Sequence, residues 1–109
     1  MAIQKAGAAQ FQDIFTVVGA GSFTVDMGNA ATGSGTFAVS QITVPGADLG
    51  DFVLVAPGVD VTDAAVVGNV TAADKVDIVL LNNTAGAVNL GEATYRVVVL
   101  RLNAQYDVV

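Results

Sequence analysis

Lys75-Val76-Asp77-Ile78-Val79-Leu80-Leu81 puts Val76, Ile78 and Leu80 on one parity and Lys75 and Asp77 on the other. A period of two is strand geometry, since successive side chains leave opposite faces, and it predicts one buried and one wet sheet face. Moving outward, Phe37 and Val39 alternate with Thr36, Ala38 and Ser40, which makes Phe37 and Val39 the expected buried set of an earlier strand. Phe52-Val53-Leu54-Val55 and Val97-Val98-Val99-Leu100 are apolar at every position. Runs of that kind are expected where a strand is covered on both faces.

Strands are predicted over residues 14–18, 22–27, 36–44, 52–56, 66–71, 76–81 and 94–102, with breaks at the roughly 8–12-residue spacing of a sandwich. The breaks have turn chemistry. Pro45-Gly46-Ala47-Asp48-Leu49-Gly50-Asp51 combines a φ-locked proline with two glycines and two aspartates, and Asn82-Asn83-Thr84-Ala85-Gly86 is a second such cluster. Gly28-Asn29-Ala30-Ala31-Thr32-Gly33-Ser34-Gly35 lacks large side chains and reads as a loop. The expected fold is all-β: a single antiparallel, jelly-roll-like β-sandwich of seven or eight strands over residues 14–109, preceded by an N-terminal arm over residues 1–13. Ile3, Phe11, Ile14 and Phe15 are spaced among Gln, Ala and Gly, too few for a core and too apolar for a solvated tail. They are therefore expected to become ordered by packing against a neighbouring subunit or against the surface of another protein to which the chain attaches. The competing reading starts the first strand at Phe11 and leaves ten residues loose.

Composition narrows the function classes. The 109 residues include no His, Cys or Trp, so Ser-His-Asp and Cys-His catalysis, the usual zinc ligands and disulfides are excluded. Ten acidic against four basic side chains give a net charge of −6, which argues against a nucleic-acid partner. Hydrophobic residues make up 53% of the chain and charged ones 13%, about half the ~25% of ordinary domains. A small domain needs polar surface to stay soluble alone, so this shortage predicts that other subunits cover much of the outside. No apolar run approaches the ~18 residues of a spanning helix, and the N-terminus lacks the apolar core of a secretory signal. Synthesis in a cytoplasm, with no membrane partner, is the expectation.

The chemical motifs resolve into structural readings. Gly19-Ala20-Gly21 and Gly33-Ser34-Gly35 begin a GxGxxG pattern but lack its third glycine, and turn glycines are the expectation. The pairs Asp48/Asp51, Asp60/Asp63 and Asp74/Asp77 lack EF-hand spacing and read as solvated or turn-capping carboxylates. Asn69-Val70-Thr71 and Asn82-Asn83-Thr84 fit the glycosylation pattern by chance in the absence of a secretion signal. Tyr95-Arg96 and Tyr106 are the candidate sugar-stacking residues, with the core or a subunit contact the favoured place for Tyr95. No cofactor, metal or catalytic residue is expected.

Phe37 to Pro57, with Val44-Pro45-Gly46-Ala47-Asp48-Leu49-Gly50-Asp51 at its centre, is followed by Val70-Thr71-Ala72-Ala73-Asp74-Lys75-Val76, Asn83-Thr84-Ala85-Gly86-Ala87-Val88 and Thr94-Tyr95-Arg96-Val97-Val98-Val99. This series resembles the small β-sandwich structural proteins of tailed bacteriophages, among them capsid decoration (cement) proteins and head- or tail-fibre modules. The likeness spans residues 36 to 101 and is carried by turns and strands. Asn89-Leu90-Gly91-Glu92-Ala93 departs from the Asp-Pro connection of that pattern, and residues 1–35 match none of it. The resemblance implies a non-enzymatic virion protein that forms a homo-oligomer, a trimer, on the outer capsid surface and bridges major capsid proteins there. The alternative it leaves open is a head-fibre or tail-fibre module binding host glycans. Candidate interface residues are Ile3, Phe11, Ile14 and Phe15 of the arm and Val97, Val98, Val99 and Leu100 of the last strand.

Overall fold

A computed structural model describes residues 8–27, 29–30, 36–61 and 63–106. The elements run α1 (Ala8–Ile14), β1 (Phe15–Asp26), β2 (Asn29–Ala30), β3 (Thr36–Thr43), β4 (Phe52–Pro57), β5 (Ala65–Ala72), β6 (Lys75–Asn82), β7 (Val88–Asn89) and β8 (Glu92–Leu102). Two three-stranded antiparallel sheets, ordered β1-β8-β4 and β3-β6-β5, form an all-β, sandwich-like fold, and a small β2-β7 ribbon accompanies them.

The core lies between the sheets. From β6 it takes Val76, Ile78 and Leu80, the parity expected of that run, and from β8 it takes Tyr95, Val97 and Val99. Met27, Ala30 and Val88 join the same cluster, so the β2-β7 ribbon contributes to it. The sheets approach closely where a side chain is missing. A Cβ on Gly19 would lie 2.7 Å from a methyl of Val44, and one on Gly68 would lie 2.5 Å from a methyl of Val53.

Three expectations are corrected. The strands expected over 14–18 and 22–27 are one, because β1 continues through Gly19-Ala20-Gly21, with a bulge between Val17 and Gly19. Gly19 and Gly21 are therefore strand residues and not turn residues; Gly33 and Gly35 lie outside the described residues. The face of β3 is reversed. Ile42 pairs with Val76 and is buried, which carries Ala38 and Ser40 inward and leaves Phe37 and Val39 exposed. The run holds two apolar pairs of opposite parity, Phe37/Val39 and Ile42/Val44, and the register follows the pair that meets the core. Finally, β4 is covered on one face only: Phe52 is 50% exposed and Leu54 59%.

Tyr95 occupies the core with no exposed surface, and its hydroxyl finds no hydrogen-bond partner among the described residues. Burial, with a smaller contribution from Asp26, pushes the phenol above its ordinary 10.0. A buried hydroxyl without a partner is a liability, so Tyr95→Phe is expected to leave stability unchanged or raise it by about 1 kcal/mol. Urea denaturation checks this, and a loss of more than about 1 kcal/mol would mean that the hydroxyl is satisfied in solution.

Candidate functional site

The outward face of the β1-β8-β4 sheet can be read row by row from the register. Phe15 stands beside Leu102; Val17, Leu100 and Phe52 form the next row; Ala20, Val98 and Leu54 form the third. Ser22, Arg96 and Ala56 follow, then Thr24 beside Thr94, then Asp26 beside Glu92. Three successive rows are therefore apolar across the sheet before the first charge appears. Leu100 is buried although it points away from the sandwich core, and it belongs to no part of that core cluster. Flanked by Val17 and Phe52, it is the centre of a second, outer apolar cluster.

Aromatic rings extend this face past the end of the sheet. Phe52 meets Phe15 edge-on at 5.9 Å between ring centres, and Phe15 meets Phe11 of α1 at 5.6 Å. Phe11 and Phe15 stand four residues apart across the helix end, the spacing that brings side chains onto one face. The helix is held by the chain's own last segment. Asn103 donates through Nδ2 to the carbonyls of Gln12 and Asp13 and through its backbone N–H to that of Ile14. Tyr106 donates its hydroxyl hydrogen to Asp13 Oδ2 at 3.1 Å, and Gln105 Nε2 donates to Asp13 Oδ1. These groups satisfy carbonyls that a helix end would otherwise leave unpaired.

Beside this face, Arg101 donates to both oxygens of Asp51, from Nε at 2.8 Å and from a terminal nitrogen at 2.7 Å, and also to the carbonyl of Gly46. Asp51 Oδ2 also accepts from the Asp48 backbone N–H. Asp74, at φ 65°, ties the β5-β6 turn to the same loop: its carboxylate accepts from Gly46 N, and its N–H donates to the carbonyl of Ala47. Two turns read separately in the sequence thus lock together. A shallow groove lined by Leu49, Asp51, Phe52, Arg101 and Leu102 connects the ion pair to the apolar rows.

The Arg101 hydrogen bond is the main reason that the Asp51 carboxyl sits below its ordinary 3.8; burial opposes the shift, and the Asp48 N–H supports it. A carboxyl whose pKa is lower in the folded state adds stability above 3.8 and loses it as pH falls through the depressed value. Wild-type protein should therefore lose stability more steeply below pH 3.8 than Asp51→Asn does. Denaturation midpoints measured across that window check it; parallel acid limbs would assign the loss to other groups.

The arm and last-strand candidates do not share one place. Ile3 lies outside the described residues. Phe11 and Phe15 join the outer aromatic row, Ile14 is exposed at the end of α1, and Val98 and Leu100 stand in the apolar rows. Val97 and Val99 point the other way and are buried in the chain's own core. Val17, Phe52, Leu54 and Leu102 of the same face were not among the candidates. Phe52 and Leu54 had a signal, because a run apolar at both parities has a second face to cover, and the described residues leave these two side chains exposed.

A smaller apolar patch lies on the outside of the other sheet, where Phe37 pairs with Leu81 and Val39 pairs with Val79 next to Val67. Phe37 is 61% exposed. The sugar-stacking candidates do not converge: Tyr95 is buried, while Tyr106 is at the opposite end of β8 against Asp13. Among the described residues no group of three or more acidic side chains is placed to hold a metal. No family model, curated protein or solved structure matches this chain.

Proposed function

We propose that this chain is a non-enzymatic virion structural protein, a capsid decoration (cement) protein that associates with its own copies on the outer capsid surface and bridges major capsid proteins. The observation that carries the reading is the uncovered apolar outer face of the β1-β8-β4 sheet, three rows deep and extended by Phe11. Exposed apolar patches of this kind mark association surfaces. The second patch, around Phe37 and Val39, supplies a separate surface, as a subunit that must touch both its own kind and a shell requires. The resemblance in residues 36 to 101 supports the viral setting.

The mechanism needs no reacting group. Surface that is buried only in the assembled state adds its free energy to that state, so the lattice gains resistance to heat and chaotropes while the free subunit gains none. The acidic balance of −6 suits an outward surface, since like-charged particles repel.

Counting copies per particle tests the reading. A decoration protein approaches the copy number of the major capsid protein, and particles stripped of it should break at lower temperature. A few copies confined to a vertex or the tail would instead make it a fibre module, and absence from particles would overturn the virion assignment.

A further inference from the structure

We infer that two copies of this chain join edge to edge, the β3 of each pairing antiparallel with the β3 of the other about a two-fold axis through Ser40, so that their β3-β6-β5 sheets run on as one. The inference rests on the self-association proposed above and specifies its geometry. β3 stands at the end of its sheet, and among the described residues no strand pairs with its open side. Its register with β6 is unbroken from Thr36 to Thr43, and Val44 N donates to the carbonyl of Asp74, the next position of that register. Val44 therefore directs its N–H toward β6, and alternation gives the backbone groups of Ile42, Ser40 and Ala38 the same direction. Those of Phe37, Val39, Gln41 and Thr43 point the other way. They form a row of donors and acceptors with no backbone partner among the described residues.

An open strand edge is a template for another chain, and proteins blunt it with charge, proline, a bulge or a covering segment. The other three edges are blunted in this way. β1 has a bulge between Val17 and Gly19, is met there by Val44, and ends in Asp26. β4 ends in Pro57, β5 has a bulge between Val70 and Ala72, and the two lie against each other where Gly68 approaches Val53 and Val55. β3, Thr36-Phe37-Ala38-Val39-Ser40-Gln41-Ile42-Thr43, has no charge, proline, glycine or bulge.

A second copy is the occupant because this edge complements itself. Centring the pair on Ser40 sets Phe37 opposite the partner's Thr43 and Val39 opposite the partner's Gln41, so every residue with open backbone groups enters a pair that exchanges two hydrogen bonds. Centring on Val39 or Gln41 would run one end of the row past the partner strand. Ser40 then meets the partner's Ser40 in a non-hydrogen-bonded pair, the closer kind, at about 4.5 Å between Cα atoms. Ser40 points inward and is half-buried, and its hydroxyl has no hydrogen-bond partner among the described residues. Across the axis the two hydroxyls bond each other. The contact is isologous, and β3 carries no charge to oppose its own copy.

Sedimentation equilibrium of the full chain, with circular dichroism to verify folding, should give twice 11.0 kDa. Val39→Pro removes an N–H that points away from β6, where an edge strand tolerates proline, so it should keep the β spectrum and weaken association about tenfold or more. Cross-linking tests the register. The chain has no cysteine, so Ser40→Cys places one thiol from each copy face to face at a Cα separation that a disulfide spans. Oxidation with diamide should convert most of this variant to a band of double mass on a non-reducing denaturing gel. Ala38→Cys is the control and should stay single, since Ala38 stands opposite the partner's Ile42 and about 14 Å along the strands from the partner's Ala38, at ~3.4 Å per residue.

A single-chain mass at ~100 μM, with intact folding, overturns both this inference and the self-association on which it rests. A three-fold mass, a dimer indifferent to Val39→Pro, or cross-linking of Ser40→Cys no greater than that of Ala38→Cys overturns the pairing of β3 and leaves the proposed function standing. If Val39→Pro does not fold, the two cysteine variants decide.

Discussion

Asn82→Ala is expected to lower the unfolding free energy by about 3 kcal/mol or more, although it removes only a small polar side chain at a strand end. Asn82 is completely buried, the one buried polar residue among those described, and it follows Val76, Ile78 and Leu80 on the inward parity of β6. Its amide nitrogen donates to the carbonyl of Ala30 at 3.2 Å and to that of Gly86 at 2.8 Å. Its oxygen accepts from Thr84 N at 2.9 Å and from the Thr84 hydroxyl at 2.6 Å, whose hydrogen is shared with the carbonyl of Gly86. One side chain therefore closes the loop before β7 and fastens it to β2. Truncation strands the buried Ala30 carbonyl and the part-buried Thr84 N–H, at about 1–3 kcal/mol for each buried group left unpaired, while the Thr84 hydroxyl still donates to the Gly86 carbonyl. Asn82→Asp makes the test sharper. It keeps the acceptor but turns a negative oxygen toward two carbonyls, so it should be at least as damaging at neutral pH and recover in part in acid, where the carboxyl can donate. Chemical denaturation with an unchanged slope measures both. A loss below about 1 kcal/mol for Asn82→Ala would show that the loop rearranges or admits water.

That role was only half legible in the sequence. Asn82-Asn83-Thr84-Ala85-Gly86 announces a turn, because its residues bond to nearby backbone. The parity that Asn82 shares with Val76, Ile78 and Leu80 turns it inward only if β6 runs on into the turn cluster, and that extension depends on its pairing opposite Thr36 of β3. The same limit explains β3. Alternation exposes a parity but does not choose the face when two apolar pairs compete, and pairing with Val76 decided for Ile42. Where one parity was unopposed, as in Val76, Ile78 and Leu80, the buried face followed from the residues alone.

The outer face is a different case. Val97 to Leu100 and Phe52 to Val55 signalled two apolar faces per strand, and covering both was the natural inference for a chain that stands alone. Here Val53 and Val55 pack against the core while Phe52 and Leu54 stay exposed. Part of the excess of apolar residues noted in the composition stands on this exposed outer face, at Val17, Phe52 and Leu54. Helix α1 had no such signal. Seven residues are too few to show a helical period, and its end is held by Asn103, Gln105 and Tyr106, some ninety positions away in the chain.

Gly68→Val should lose about 3 kcal/mol or more, even though valine is the better strand former. Gly68 pairs with Ile78 and points inward under β4. A Cβ there would meet Val53 Cγ1 at 2.5 Å, Val55 Cγ2 at 2.7 Å and Val53 Cβ at 3.2 Å. Both obstructing side chains are β-branched and stiff at χ1, so neither can swing aside without disturbing β4. Replacing glycine in a strand by alanine ordinarily gains roughly 0.5–1 kcal/mol from the unfolded chain, whereas overpacking costs about 1–3 kcal/mol and occasionally more. Gly68→Ala should accordingly lose about 1–2 kcal/mol, and valine's two further methyls should raise the loss. Gly86→Ala is the control, because a Cβ at Gly86 meets nothing within 4 Å and its φ is not in the left-handed region. Denaturation of the three variants side by side gives the answer. The double variant Gly68→Ala with Val53→Ala should recover much of the Gly68→Ala loss if the clash is the cause, since removing the Val53 methyls opens the space that the new Cβ enters. If alanine at 68 is as harmless as alanine at 86, the sheets are not in the close contact that brings β4 and β5 together, and the exposed face of β4 would lose the rigid backing on which the proposed association depends.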